Sequence, residues 1–67
     1  MLTLRQIQCL WWVREGKSSA DIGTILGISR RTVDEHIAGA CERLGVRTRT
    51  QAVVAAMARG LLPASPP

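Results

Sequence analysis

The sequence predicts an all-α fold, one domain of four short helices. Three observations carry this. Four helix-start signals alternate with four glycine stops along the chain. Apolar residues recur at three- and four-residue steps, and no strand-type alternation competes with them. The 67 residues, 46% of them hydrophobic, allow a single small core and no second domain. The same length excludes a TIM barrel, which needs roughly 250 residues. Nine Lys plus Arg against five Asp plus Glu give a net charge of +4. A small basic helical chain suits nucleic acid; anionic membranes and acidic partners are the other classes that charge alone admits.

Each element has its own start and stop. Thr3 followed by Gln6 is a capping-box pattern, in which each side chain satisfies the other's free backbone N–H. It opens a first helix over Leu4–Glu15, ended by Gly16, with Cys9, Leu10, Val13 and Trp12 as its apolar stripe. Ser18 with Asp21 opens a second helix, Ser19–Leu26, ended by Gly27 and offering Ile22, Ile25 and Leu26. Ser29 is a good N-cap for a third helix, Arg30–Leu44, ended by Gly45. Val33, Ile37, Ala40, Cys41 and Leu44 line its inner side. Thr48 with Gln51 starts a fourth helix, Arg49–Arg59, before Gly60. That helix has two apolar sides: Ala52, Val53 and Ala56 on one, Val54, Ala58 and Leu61 on the other. The domain is expected over residues 1–62. Pro63, Pro66 and Pro67 mark residues 63–67 as a disordered Pro-rich tail.

Other classes find little support. Cys9 and Cys41 fall inside apolar helical patterns and read as buried small hydrophobes; one pair would be a thin disulfide framework. His36 and Cys41 point in different directions on one helix, so no metal site and no cofactor is expected. No signal peptide is visible, and the longest apolar run, Ala52 to Ala58, is far short of the ~20 residues that span a bilayer. The expectation is a soluble, cytoplasmic chain without membrane contact. No nucleophile–base pair, phosphate loop or metal cluster suggests an enzyme.

The segment Ser19 to Ile37 has the form of a helix-turn-helix: a short helix, a tight turn at Gly27 and a longer helix opening at Ser29. Gly23, inside the short helix, makes sense if the chain crosses close above it. In such units the second helix enters the major groove of double-stranded DNA, and its N-terminal part meets base edges. Ser29, Arg30, Arg31 and Thr32 are suited to grip the backbone there, where free N–H groups favour phosphate. The outward face is Arg31, Asp34, Glu35, Ala38 and Glu42. Arg31 can bond a guanine, Glu35 can accept from a cytosine, and Ala38 can touch a thymine methyl. The acids of this face either read cytosines or pair with Arg30, Arg31 and Arg43. Lys17, Arg47 and Arg49 lie in turns or at helix starts and are assigned to phosphate contacts.

Taken together, the motifs resemble the LuxR-type (LuxR/FixJ, GerE-like) DNA-binding domain of bacterial transcription regulators. They run from Leu2-Thr3-x-Arg5 through Gly16-Lys17-Ser18, Asp21-Ile22-Gly23, Leu26-Gly27-Ile28-Ser29 and Thr32-Val33-x-x-His36. Arg43-Leu44-Gly45-Val46 and Arg49-Thr50-Gln51-Ala52-Val53 complete them, and Gly16-Lys17-Ser18-Ser19 with Asp21-Ile22-Gly23 and the ending Gly60-Leu61-Leu62 resembles the quorum-sensing branch. The resemblance implies a domain that binds DNA as a dimer, its third helix in the major groove and its fourth at the dimer contact. It places Lys17, Ser29, Thr32 and Arg49 at backbone-contact positions and Asp34, Glu35 and Ala38 near bases. Val54, Ala58 and Leu61 are the expected homodimer face; the alternative is that they pack on the first helix of their own chain. His36 matches a histidine of structural character.

Three positions depart from the family pattern. Gln6 replaces a usual Glu, Arg14 stands where a small residue is common, and Trp11 falls where a charge is frequent. An exposed Trp11 would suggest a partner surface; partial burial is the reading we favour. The leading function is sequence-specific DNA binding as a dimer to regulate bacterial transcription, with RNA polymerase as a further partner. The competing function is a protein-interaction module that modulates another regulator or RNA polymerase. A sigma-factor region with the same motif is disfavoured by the fourth helix.

Overall fold

The fold, obtained as a computed structural model that describes residues Met1–Pro67, consists of α1 (Leu4–Arg14), α2 (Ser19–Leu26), α3 (Arg30–Leu44) and α4 (Arg49–Ala58). The expected starts are all met; α1 and α4 each end one residue early. Both capping boxes form, Thr3 with Gln6 and Thr48 with Gln51, and Ser18 and Ser29 cap α2 and α3. Gly27 takes the left-handed conformation at φ 70°, which turns the chain from α2 into α3 without a Cβ penalty.

α3 packs against all three other helices; α2 touches α1 and α3 but does not pack on α4. The buried apolar residues form two clusters. Leu2, Leu10, Ala40, Leu44, Ala52, Val53 and Ala56 join α1, the C-terminal half of α3 and α4. Cys9, Ile22, Val33 and Ile37 join α1, α2 and the N-terminal half of α3. The expected stripes therefore point inward, with two differences. Ile25 is exposed, because α2 meets the other helices along the side that carries Ile22. Cys41 is half-buried between the clusters, while burial pushes the Cys9 thiol up against the pull of Arg5.

Gly23 shows why the helix pair has its angle. A Cβ there would lie 2.6 Å from the Ile28 carbonyl oxygen, so the turn itself passes over the glycine. The Ile28 N–H donates to the Gly23 carbonyl at 2.9 Å, which ties the turn down at that point.

The end of the chain differs from the expected free tail. It has no regular secondary structure, but it folds back over α1. The Trp11 indole N–H donates to the Pro63 carbonyl at 2.9 Å, and Gln8 donates to the Pro67 carbonyl at 3.3 Å. A buried indole N–H needs an acceptor, and the Pro63 carbonyl supplies it. Trp11 is accordingly buried, edge-on to Trp12 at 4.9 Å and under the Arg14 guanidinium at 4.8 Å. Gln6 is buried as well: it serves the capping box and presses its amide towards Gly39, where a Cβ would come within 2.8 Å.

Candidate nucleic-acid interface

The outer side of α3 is open. Arg30, Arg31, Glu35, Ala38 and Glu42 are exposed, while Val33, Ile37 and Ala40 are buried beneath them. This division follows from the 3.6-residue period, which leaves one side of a core-packed helix free. Ser29 fixes the start of the helix: its Oγ accepts from the Thr32 N–H at 3.0 Å and donates to Thr32 Oγ1 at 2.9 Å. These two side chains are thus engaged with one another, and Arg30 and Arg31 are the free donors at that end.

Lys17 is exposed in the α1–α2 turn, where its backbone N–H donates to the Trp12 carbonyl at 3.0 Å. Arg47 is exposed in the α3–α4 turn, and its N–H donates to Gln51 Oε1 at 2.9 Å. A shallow groove of about 540 Å³ lies between α3 and this turn, lined by Ala38, Glu42, Arg47 and Arg49 among others.

Asp34 does not stand free among the outward residues. Its carboxylate accepts from the Ser19 hydroxyl and, at 3.2 Å, from Arg49 Nη2. Arg49 Nη1 also donates to Ser19 Oγ at 2.8 Å, closing a three-membered cluster. The Ser19 hydroxyl first, and then the Arg49 and Arg30 guanidinium groups, hold the Asp34 carboxyl below its ordinary 3.8, against some desolvation. Of the two alternatives for the acids, reading cytosines or pairing with Arg30, Arg31 and Arg43, the pairing is not formed. Asp34 takes Arg49, and Glu35 and Glu42 form no ion pair. The base contact expected of Asp34 meets a competing geometry for the same reason. Sequence reasoning missed Ser19 in this role, because its partners lie 15 and 30 residues away and no local spacing links them.

On α4, Val54 and Ala58 are exposed, together with Met57. Leu61 is half-buried against the larger cluster, so it is shared between the core and the surface. Val54, Ala55 and Ala58 line a shallow recess with Gly45, Val46 and Arg47. No helix is long and apolar enough to cross a membrane.

A four-helix chain with this helix-turn-helix and these caps matches the sequence model for GerE, "Bacterial regulatory proteins, luxR family", over residues 1–56. The chain belongs to the luxR family. This LuxR-family domain is 45% identical over 62 residues to the transcriptional activator protein VanR of Vibrio anguillarum, covering 92% of the chain and 26% of VanR. It is 44% identical over 62 residues to the transcriptional activator protein SolR of Ralstonia solanacearum, covering 92% and 26%. A solved structure of the transcription factor GerE superposes with a TM-score of 0.87 at 34% identity, over 92% of both chains. The domain spans about a quarter of the length of the activators it matches. The all-α, four-helix expectation is met.

Proposed function

We propose that this LuxR-family domain binds double-stranded DNA sequence-specifically, with α3 in the major groove, and does so as a homodimer through α4 to regulate bacterial transcription. The observation that carries it is the open outer side of α3, which opens on two exposed arginines and shares a groove with Arg47 and Arg49. Arg31, Glu35 and Ala38 are free to meet base edges, Arg30, Arg47 and Arg49 supply cations at the same surface, and Lys17 is exposed in the α1–α2 turn. The names of VanR and SolR support the regulatory part of the reading. We infer that the domain serves as the DNA-binding part of a quorum-sensing or response-regulator type factor, with RNA polymerase as a further partner.

The homodimer face is Val54 and Ala58 with the exposed part of Leu61, and small residues there allow close approach of two helices. The competing reading, a protein-interaction module, loses one support because Trp11 is buried rather than displayed.

A binding selection over random duplexes, followed by a salt titration, tests the reading. Specific binding predicts an enriched half-site and a log K that falls with log salt by about 0.9 per phosphate contacted. No enrichment at low salt, with the dimer present, would sink it. Glu35→Ala is expected to change the preferred base at one position only.

A further inference from the structure

We propose that Asp34 is a positioning residue: together with Ser19 it aims the Arg49 guanidinium at a DNA phosphate, and it does not itself read a base. The inference rests on the DNA-binding reading and assigns a role within it.

The geometry is specific to three helices. Ser19 lies in the first turn of α2, Asp34 in α3 and Arg49 at the first position of α4. α2 and α4 do not pack on one another, and the Arg49–Ser19 hydrogen bond is the side-chain link between them. The cluster therefore fixes where the basic start of α4 sits relative to the reading unit. A guanidinium carries five N–H donors in a planar fork. Two groups are engaged, Nη1 with Ser19 and Nη2 with Asp34, so further N–H donors remain for an anion. Lysine has no such fork: its three donors share one nitrogen, so it does not reproduce the separate Nη1–Ser19 and Nη2–Asp34 bonds.

Ser19 is the joint of the cluster. Its hydroxyl accepts from Arg49 and donates its single proton to Asp34, which an ionised carboxylate accepts. Beside the fork, Ser18, Ala20 and Arg30 complete a recess with these three residues. Arg30 lines that recess too, so two guanidinium groups stand there against the one Asp34 carboxylate and a phosphate oxygen entering it meets a net positive charge. An acid near the DNA surface then serves orientation at little repulsive cost.

The test is a double-mutant cycle read on two probes: a mixed-sequence duplex pool and the duplex that the wild-type domain enriches from it. Asp34→Asn and Ser19→Ala are each expected to weaken binding about tenfold, the size of one charge-assisted hydrogen bond, on both probes alike. Each is expected to lower the salt slope by about 0.9, as Arg49→Ala does, and to add no further loss in the Arg49→Ala background. Arg49→Lys, which keeps the charge, is expected to bind more weakly than wild type and to become insensitive to Asp34→Asn. A changed base preference in Asp34→Asn overturns the proposal in favour of base reading. Tighter binding to every sequence overturns it in favour of simple repulsion. Losses that add to those of Arg49→Ala, unchanged affinity, or an Arg49→Lys domain that behaves as wild type also overturn it. Circular dichroism melts of each variant separate loss of fold from loss of aim. A wild-type domain that binds neither probe at low salt overturns the DNA-binding reading itself. That result differs from a domain that binds yet ignores Asp34→Asn.

Discussion

The two halves of the domain are held together differently. The α1–α4 half carries the larger apolar cluster, with Leu10 fully buried among small alanines from α3 and α4. The α2–α3 half rests on Cys9, Ile22, Val33 and Ile37, and on a glycine over which the turn closes. Where α2, α3 and α4 come nearest to one another, polar side chains take over: Ser19, Asp34 and Arg49. Apolar burial is non-directional and sets stability, whereas hydrogen-bonded charges set direction. The scaffold half thus uses the first, and the reading half adds the second at the place where side chains have to be aimed.

Four substitutions or conditions bear on this contrast. The largest effect is expected from Leu10→Ala, which removes a fully buried side chain from the scaffold cluster. It should cost about 2–5 kcal/mol, a large share of the stability of a domain this small. Urea unfolding would measure it; a loss no greater than that of an exposed leucine such as Leu4 would refute the division of labour. Gly23→Ala comes next. Its Cβ would meet the Ile28 oxygen at 2.6 Å, which forces the turn to shift at about 1–3 kcal/mol. Because the shift re-angles α3 against α2, DNA discrimination is expected to fall before the fold is lost, as a selection run beside a thermal melt would show.

Val54→Asp acts on the outer side of the scaffold. Val54 is 63% exposed, so folding should change by less than about 0.5 kcal/mol. The monomer fraction in sedimentation should nevertheless rise; an unchanged dimer would move the interface off α4. The smallest effect concerns acid. Asp34 titrates below its ordinary 3.8 in the folded chain, so the charged form favours the fold. Its contribution is complete above that ordinary value and is lost as pH falls through the lower folded one. Acid titration of wild type against Asp34→Asn by circular dichroism should show a steeper loss in the wild type at the acid end. Parallel curves would mean that the cluster adds nothing to stability.

Much of the domain was legible in the chain because its signals are local. Thr3 with Gln6, Thr48 with Gln51, Ser18 and Ser29 satisfy N–H groups only three residues away, so caps and helix ranges could be read directly. The inner sides of α3 and α4 followed from spacing alone, since a helix sorts its residues by a fixed period. Exposure of Arg31, Glu35, Ala38 and Val54 was legible for the same reason. What spacing does not contain is the partner of a polar group across the fold. Nothing local to Trp11 says that its N–H meets Pro63, and the prolines that suggested a free tail instead supply the acceptor.

The sequence by itself determined four helices, their caps, the glycine turn and the open side of α3, because each of these depends on residues within one or two turns of one another. Tertiary structure alone decided that Asp34 is bound to Ser19 and Arg49, that α2 and α4 are linked only through that cluster, and that the chain's end covers Trp11. These are contacts between residues 15 to 52 positions apart, and their geometry exists only once α3 has packed against the other helices.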